Sequence, residues 1–159
     1  MLTVSVVPNY NHARYLRKRI ASVLDQTYQD FEVVLLTTSR PMKAGRLLAS
    51  TRVIRECELA FNEKNSGTPF KQWNKDVQMA RGRNVRIAES DDYANARLLE
   101  RLVAVLDAEP AAAFVSCRSL RVSADDRLDG FADSYFAHMD PNEWTMDFCA
   151  DSYEYYTER

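Results

Sequence analysis

The feature that most constrains this chain is a repeated switch between short apolar runs and amphipathic stretches of helical period. Residues 2–7 are apolar and β-branched and stop at Pro8, as a buried strand does. Ala13, Leu16, Ile20, Val23 and Leu24 then recur at helical spacing, with Arg14, Arg17, Lys18 and Arg19 between them. Residues 31–36 read as a second strand and 42–50 as a short helix, and a third strand falls within 53–61. Pro69 sits where a first helical turn tolerates proline. Phe70, Trp73, Val77 and Ala80 continue as an apolar stripe that places Phe70 and Trp73 in the core, and Gly82 suits the end of that helix. A fourth strand is predicted over 84–88, and a helix carrying Leu98, Leu99, Leu102, Val103 and Leu106 stops before Pro110. Residues 111–116 read as a fifth strand running on toward 120–122, before a turn at 124–127. Strands alternating with helices imply an α/β fold, a mostly parallel sheet with helices on both faces.

Composition narrows what such a fold can do. The 159 residues suit one domain, and a 46% hydrophobic content is enough for a substantial core. No apolar run approaches the roughly 20 residues of a membrane span. The first residues lack a basic, cleavable leader, so a cytoplasmic protein is expected. Cys57, Cys117 and Cys149 are far apart and odd in number. With only His12 and His138 beside them, they support neither a disulfide framework nor a zinc site.

Charge is uneven. From Gly130 onward seven acidic residues face one basic residue, whereas residues 1–129 hold 20 basic and 16 acidic. The mildly cationic body suits a small anionic ligand, and it lacks the dense basic stripe that nucleic acid requires. The organisation changes at the same place, so a domain over 1–129 and an acidic, aromatic-rich segment over 130–159 are expected. Eight of the 17 aromatics lie in that segment, which fits either a sugar-acceptor groove or an interface for a partner or a second copy through residues 131–156.

Three loops follow predicted strands and would meet at one rim, where open parallel sheets bind ligands. Glu89, Asp91 and Asp92 cluster just past the fourth strand, a hard-oxygen set suited to Mg²⁺ or Mn²⁺ shared with a diphosphate. Acidic residues ahead of a helix also serve as caps, and spacing alone leaves both readings open. Pro8, Asn9, Tyr10 and Asn11 form a turn with a possible N-cap, or a grip on a nucleobase. Asn65-Ser66-Gly67 is likewise a turn or a ligand loop.

These pieces stand in an order that resembles family 2 glycosyltransferases. The string Val4-Ser5-Val6-Val7-Pro8-Asn9-Tyr10-Asn11 is followed by Leu16, by Ser22-Val23-Leu24-Asp25-Gln26-Thr27-Tyr28 and by Phe31-Glu32-Val33. Asn65-Ser66-Gly67, Trp73-Asn74, Ala80-Arg81-Gly82 and Glu89-Ser90-Asp91-Asp92-Tyr93 continue it, so that the resemblance covers about residues 2–122. It implies a GT-A-like three-layer sandwich with a Rossmann-like sheet that binds a nucleoside-diphosphate sugar, UDP-linked by expectation, for polysaccharide biosynthesis. It implies a nucleobase contact at residues 8–11. It implies donor contacts at Thr38, Asn65, Gly67, Glu89 and Asp91, with Asp91 and Asp92 on the divalent metal. The implied reaction transfers the sugar with inversion to a hydroxyl of a saccharide or similar acceptor.

Two departures matter. Where the family places an Asp-Asp pair after the second strand, this chain has Thr37-Thr38-Ser39-Arg40, which removes a charge-assisted bond to the nucleoside. The family's acceptor half, with its catalytic base, is expected beyond the point where this sequence stops, and no catalytic residue is nominated. The alternative is a truncated or degenerate module that binds a nucleotide sugar without turnover. A dinucleotide-binding oxidoreductase is disfavoured, because no GxGxxG follows the first strand.

Overall fold

A computed structural model describes residues 2–7, 13–37, 57–61, 67–132 and 147–150. The chain divides into two compact units, Met1–Pro110 and Ala111–Arg159, whereas its change of composition lies at Gly130.

The first unit runs β1 (Leu2–Val7), α1 (Ala13–Leu24), β2 (Phe31–Thr37), β3 (Cys57–Phe61), α2 (Pro69–Met79), β4 (Asn84–Glu89) and α3 (Leu98–Ala108). Its strands pair in the order β3-β2-β1-β4, and every pairing is parallel. The expected parallel α/β sheet is therefore present. The chain moves outward from β1 to β3, then returns to lay β4 on the other side of β1. That reversal is a topological switch point, and it opens at the carboxyl ends of β1 and β4, where Val7 pairs with Glu89.

Packing explains why this arrangement is stable. Val33, Val34, Leu35 and Leu36 are consecutive and all buried, so both faces of β2 are covered, as a central parallel strand requires. From α1, Leu16, Ile20 and Val23 project into the same core as Val33, Leu35, Ala88 and Leu99. Each valine, leucine or isoleucine among them contributes about 1.5–3 kcal/mol relative to exposure. Glu32 is the exception within β2. It is buried among apolar neighbours, and its carboxylate accepts from the Arg81 backbone N–H at 2.7 Å and from Arg81 Nε at 2.8 Å. That pair ties the turn after α2 to the amino end of the sheet, opposite the switch-point rim.

Three local expectations are corrected. In α2 the buried side chains are Gln72 and Asp76, while Phe70 is 64% exposed and Val77 49%. The helix rests against β1 and β2, and its buried line is this polar one. Phe70 instead packs edge-on against Trp73, with ring centroids 5.1 Å apart. Thr68 caps the start of α2, its hydroxyl accepting from Lys71 N–H at 3.3 Å, with Pro69 just inside. The C-terminus does not use Gly82. Ala80 ends α2 with an extended backbone whose N–H bonds Asp76 and Val77 carbonyls.

The third correction lies in the second unit. Residues 111–116 form no strand; β5 (Leu120–Val122) and β6 (Leu128–Phe131) pair antiparallel in a two-stranded sheet of their own. Three consecutive alanines in 111–113 offer little β-branched surface to pack. The expected turn over 124–127 does close this hairpin. Asp126 N–H donates to Ser123 O, Ser123 N–H donates to Arg127 O, and Asp126 takes a left-handed backbone, which aspartate tolerates better than most residues. The helix expected over 42–50 lies outside the described residues.

Candidate functional site

The acidic segment leaves the sheet at the carboxyl end of β4. Ala88 and Ser90 are buried, Glu89 is half-buried, and Asp91, Asp92 and Tyr93 are exposed. Alternation along the strand thus turns into a tight turn, in which Asp92 N–H approaches Glu89 O at 3.4 Å. The two outer carboxylates are exposed at the switch point, whereas the inner one is half-buried.

Glu89 has an unusual environment. Its Oε1 is buried without a hydrogen-bond partner, and so is the Trp73 indole Nε1 nearby. Burial raises the Glu89 pKa above the ordinary carboxylate value. The Trp73 donor opposes that shift, Asp91 and Asp92 reinforce it by repulsion, and Arg19 opposes it again. The indole favours the ionised carboxylate as a nearby dipole, since the pair falls short of hydrogen-bond geometry.

Arg19 of α1, which acts electrostatically on this group, is 1% exposed, with Nε and Nη1 lacking hydrogen-bond partners. Burial lowers its pKa to about 10, helped by Arg86 and opposed by Asp92, Glu89 and Asp91. It remains a cation at neutral pH. Beside it, Lys18 Nζ sits 3.9 Å from the centre of the Tyr93 ring, so α1 also reaches the loop after β4.

That loop is fixed from a second direction by Gln26, 3% exposed. Its amide donates to Ser22 O and Asn95 O, both at 2.8 Å, and its Oε1 accepts from Leu99 N–H at 2.9 Å. Leu99 belongs to the first turn of α3, whose N-cap position, Arg97, makes no side-chain cap. Gln26 therefore caps α3 from a distance. Thr27 adds its N–H to Ala96 O at 2.8 Å and its hydroxyl to Glu100.

Among the residues expected at the site, the structure brings Glu89, Asp91 and Asp92 to the rim. Gly67 stands exposed two residues before α2 with φ +81°. Pro8, Asn9, Tyr10, Asn11, Thr38 and Asn65 lie outside the described residues. The three carboxylates do not converge into one cage; among the described residues no three His, Cys, Asp or Glu side chains group around a metal position. One Glu89 oxygen is buried, and Asp91 and Asp92 are the exposed oxygen donors. That set fits Mg²⁺ or Mn²⁺ held by one or two carboxylates with phosphate and water completing the shell. Sequence reasoning placed Trp73 in the core, gave Gln26 no role and treated Arg19 as one of several charges between apolar positions. Arg19 had a signal: it falls at i+3 from Leu16 and four before Val23, inside the apolar stripe.

The family described as Glycosyl transferase family 2 matches residues 5–148. Glycosyltransferase GlyG of Streptococcus pneumoniae is 27% identical over 97 residues, covering 61% of this chain and 32% of GlyG. Poly(ribitol-phosphate) beta-N-acetylglucosaminyltransferase TarS of Staphylococcus aureus is 29% identical over 104 residues, covering 64% of this chain and 18% of TarS. The crystal structure of TarS 1–349 with UDP-GlcNAc superposes with a TM-score of 0.62 at 28% identity, over 69% of this chain and 32% of that one. Mannosyltransferase PcManGT from Pyrobaculum calidifontis, solved with GDP-Man and Mn²⁺, gives 0.64 at 23% identity over 72% of this chain and 34% of that one, a likeness of fold alone. The chain thus spans about a third or less of the length of these relatives.

Proposed function

Because the chain belongs to glycosyl transferase family 2, we propose that it binds a nucleoside-diphosphate sugar, UDP-linked, at the β1/β4 switch point and takes part in its transfer to a hydroxyl acceptor. One observation carries this reading: Asp91 and Asp92 are exposed at the carboxyl end of the strand that flanks the chain reversal. The UDP-GlcNAc complex of TarS, at 28% identity, supports a UDP donor.

In this proposal Asp91 and Asp92 hold Mg²⁺ or Mn²⁺ against the diphosphate. When bound, the cation supplies positive charge that makes the diphosphate a better leaving group. Glu89 stays behind the rim and orients the turn. The residues of 8–11, Thr38, Asn65 and Gly67 complete the nucleoside and phosphate contacts, and helices on both faces complete a GT-A-like sandwich. The acceptor hydroxyl attacks the anomeric carbon from the face opposite the diphosphate, so configuration inverts. The group that takes its proton is not assigned to any residue of this chain. Thr37-Thr38 in place of a carboxylate pair gives up a charge-assisted hydrogen bond to the nucleoside, worth about 1.5–3 kcal/mol, for a weaker neutral one.

Calorimetry with UDP and UDP-sugars, with and without Mn²⁺, tests the reading on wild type and Asp91→Ala. Metal-dependent binding should be present in the first and at least about tenfold weaker in the second, the scale of one lost charged contact. Failure of wild type to bind any of these nucleotides at millimolar concentration contradicts it. Since the chain spans about a third or less of its relatives, a second reading is a donor-binding module without turnover. Binding without transfer or hydrolysis of a UDP-sugar would select that reading.

A further inference from the structure

The donor-site reading leaves Arg19 unused. Arginine is rarely buried without a matched partner, because an uncompensated charge away from water is costly. Here the guanidinium is 1% exposed, its Nε and Nη1 have no hydrogen-bond partner, and the carboxylate Oε1 of Glu89 is buried and unpartnered too. Its placement is fixed by packing. Leu16, Ile20 and Val23 lock α1 into one core with Ala88, the residue before Glu89, and Lys18 reaches over Tyr93. The charges that act on Arg19 are those of Arg86, Asp92, Glu89 and Asp91.

We propose that Arg19 is a positioning residue, a fixed internal cation on the helix packed against the end of β4, that shifts the site's preference away from bare divalent metal and toward the diphosphate. The inference rests on the donor-site reading. A buried guanidinium repels a second cation and attracts an anion across a medium that screens poorly. The carboxylates alone would bind metal tightly and reject a diphosphate. With the Arg19 charge close by in the same core, bare metal binds less tightly and the nucleotide is accepted. A residue that merely fills space would leave both affinities alone, or lower both together.

The test uses the whole chain and two probes: Mn²⁺ alone, followed by electron paramagnetic resonance, and UDP in the presence of a chelator, followed by calorimetry. Arg19→Met should bind Mn²⁺ about tenfold more tightly and UDP about tenfold more weakly, while Arg19→Lys, which keeps the charge, stays within about threefold of wild type on both. A folded Arg19→Met whose two affinities move together, or not at all, overturns the inference while leaving the donor site standing. Wild type that binds neither probe overturns the donor site and this inference with it. Should Arg19→Met fail to fold, the double variant with Glu89→Gln decides. Recovery of cooperative unfolding supports the charge role, and continued failure to fold overturns it.

Discussion

At the scale of single residues, the site is governed by what burial does to charge. Glu89 ends a strand, and the pleat turns one of its oxygens inward, away from water and without a hydrogen bond. Desolvation and the neighbouring Asp91 and Asp92 raise its pKa, against the pull of Trp73 and Arg19. A carboxyl whose folded pKa lies above its unfolded value favours folding while protonated, below the unfolded pKa. That contribution is lost as pH rises through the folded value. Glu89→Gln should therefore be more stable than wild type at pH 7, and the difference should shrink as pH falls toward the ordinary glutamate pKa. Urea midpoints for the two proteins across that range check this; a difference that stays constant or grows on acidification contradicts it. The sequence made Asp91 and Asp92 easy to find, because acidic residues after a strand are themselves a signal. It gave no sign that Glu89 turns inward, since that depends on Trp73 and Arg19 arriving from two other elements.

Among elements, the contacts that hold the rim in place come from segments far away in sequence. Gln26, just past α1, satisfies a carbonyl of the loop after β4 and an N–H of the first turn of α3. Gln26→Ala should cost about 1–3 kcal/mol in chemical denaturation, the range for leaving buried polar groups unsatisfied. A loss under about 0.5 kcal/mol would mean that water replaces the amide without penalty. In α2 the apolar residues mislead. Phe70→Ser should cost less than about 1.5 kcal/mol, limited to its edge contact with Trp73, whereas Leu99→Ala in the core should cost about 2–5 kcal/mol. The reverse order would restore Phe70 to the core. Periodicity found where α1, α2 and α3 lie, because helical spacing is a local property. It could not tell which face of α2 is buried, because the buried side chains there, Gln72 and Asp76, are polar and no hydropathy pattern marks them as inward-facing. Of the antiparallel β5–β6 pair, the strand at 120–122 and the turn at 124–127 were legible, whereas the pairing of β6 depends on a partner that no single segment shows.

For the whole molecule, the order β3-β2-β1-β4 is the decisive fact, since it puts the acidic turn beside the end of β1. Alternating strands and helices made a parallel sheet legible, and of the residues the resemblance singled out, Glu89, Asp91 and Asp92 stand at the end of β4. The reversal itself is a property of topology that no single segment carries. No described helix is long and apolar enough to cross a membrane. The second unit exposes Leu128, Phe114, Leu120 and Phe131, with Arg118 lying 3.8 Å over the Phe131 ring. The remainder of the aromatic segment through residue 156 lies largely outside the described residues.

In the proposed donor site, a cation held by Asp91 and Asp92 meets a nucleoside diphosphate at the β1/β4 switch point. A crystal structure of the chain with UDP and Mg²⁺ tests it most directly. The metal should lie about 2.0–2.1 Å from a carboxylate oxygen of Asp91 or Asp92 and from a phosphate oxygen of UDP. A nucleotide bound at another edge of the sheet, or a diphosphate at this rim with both carboxylates turned away from it, would contradict the account.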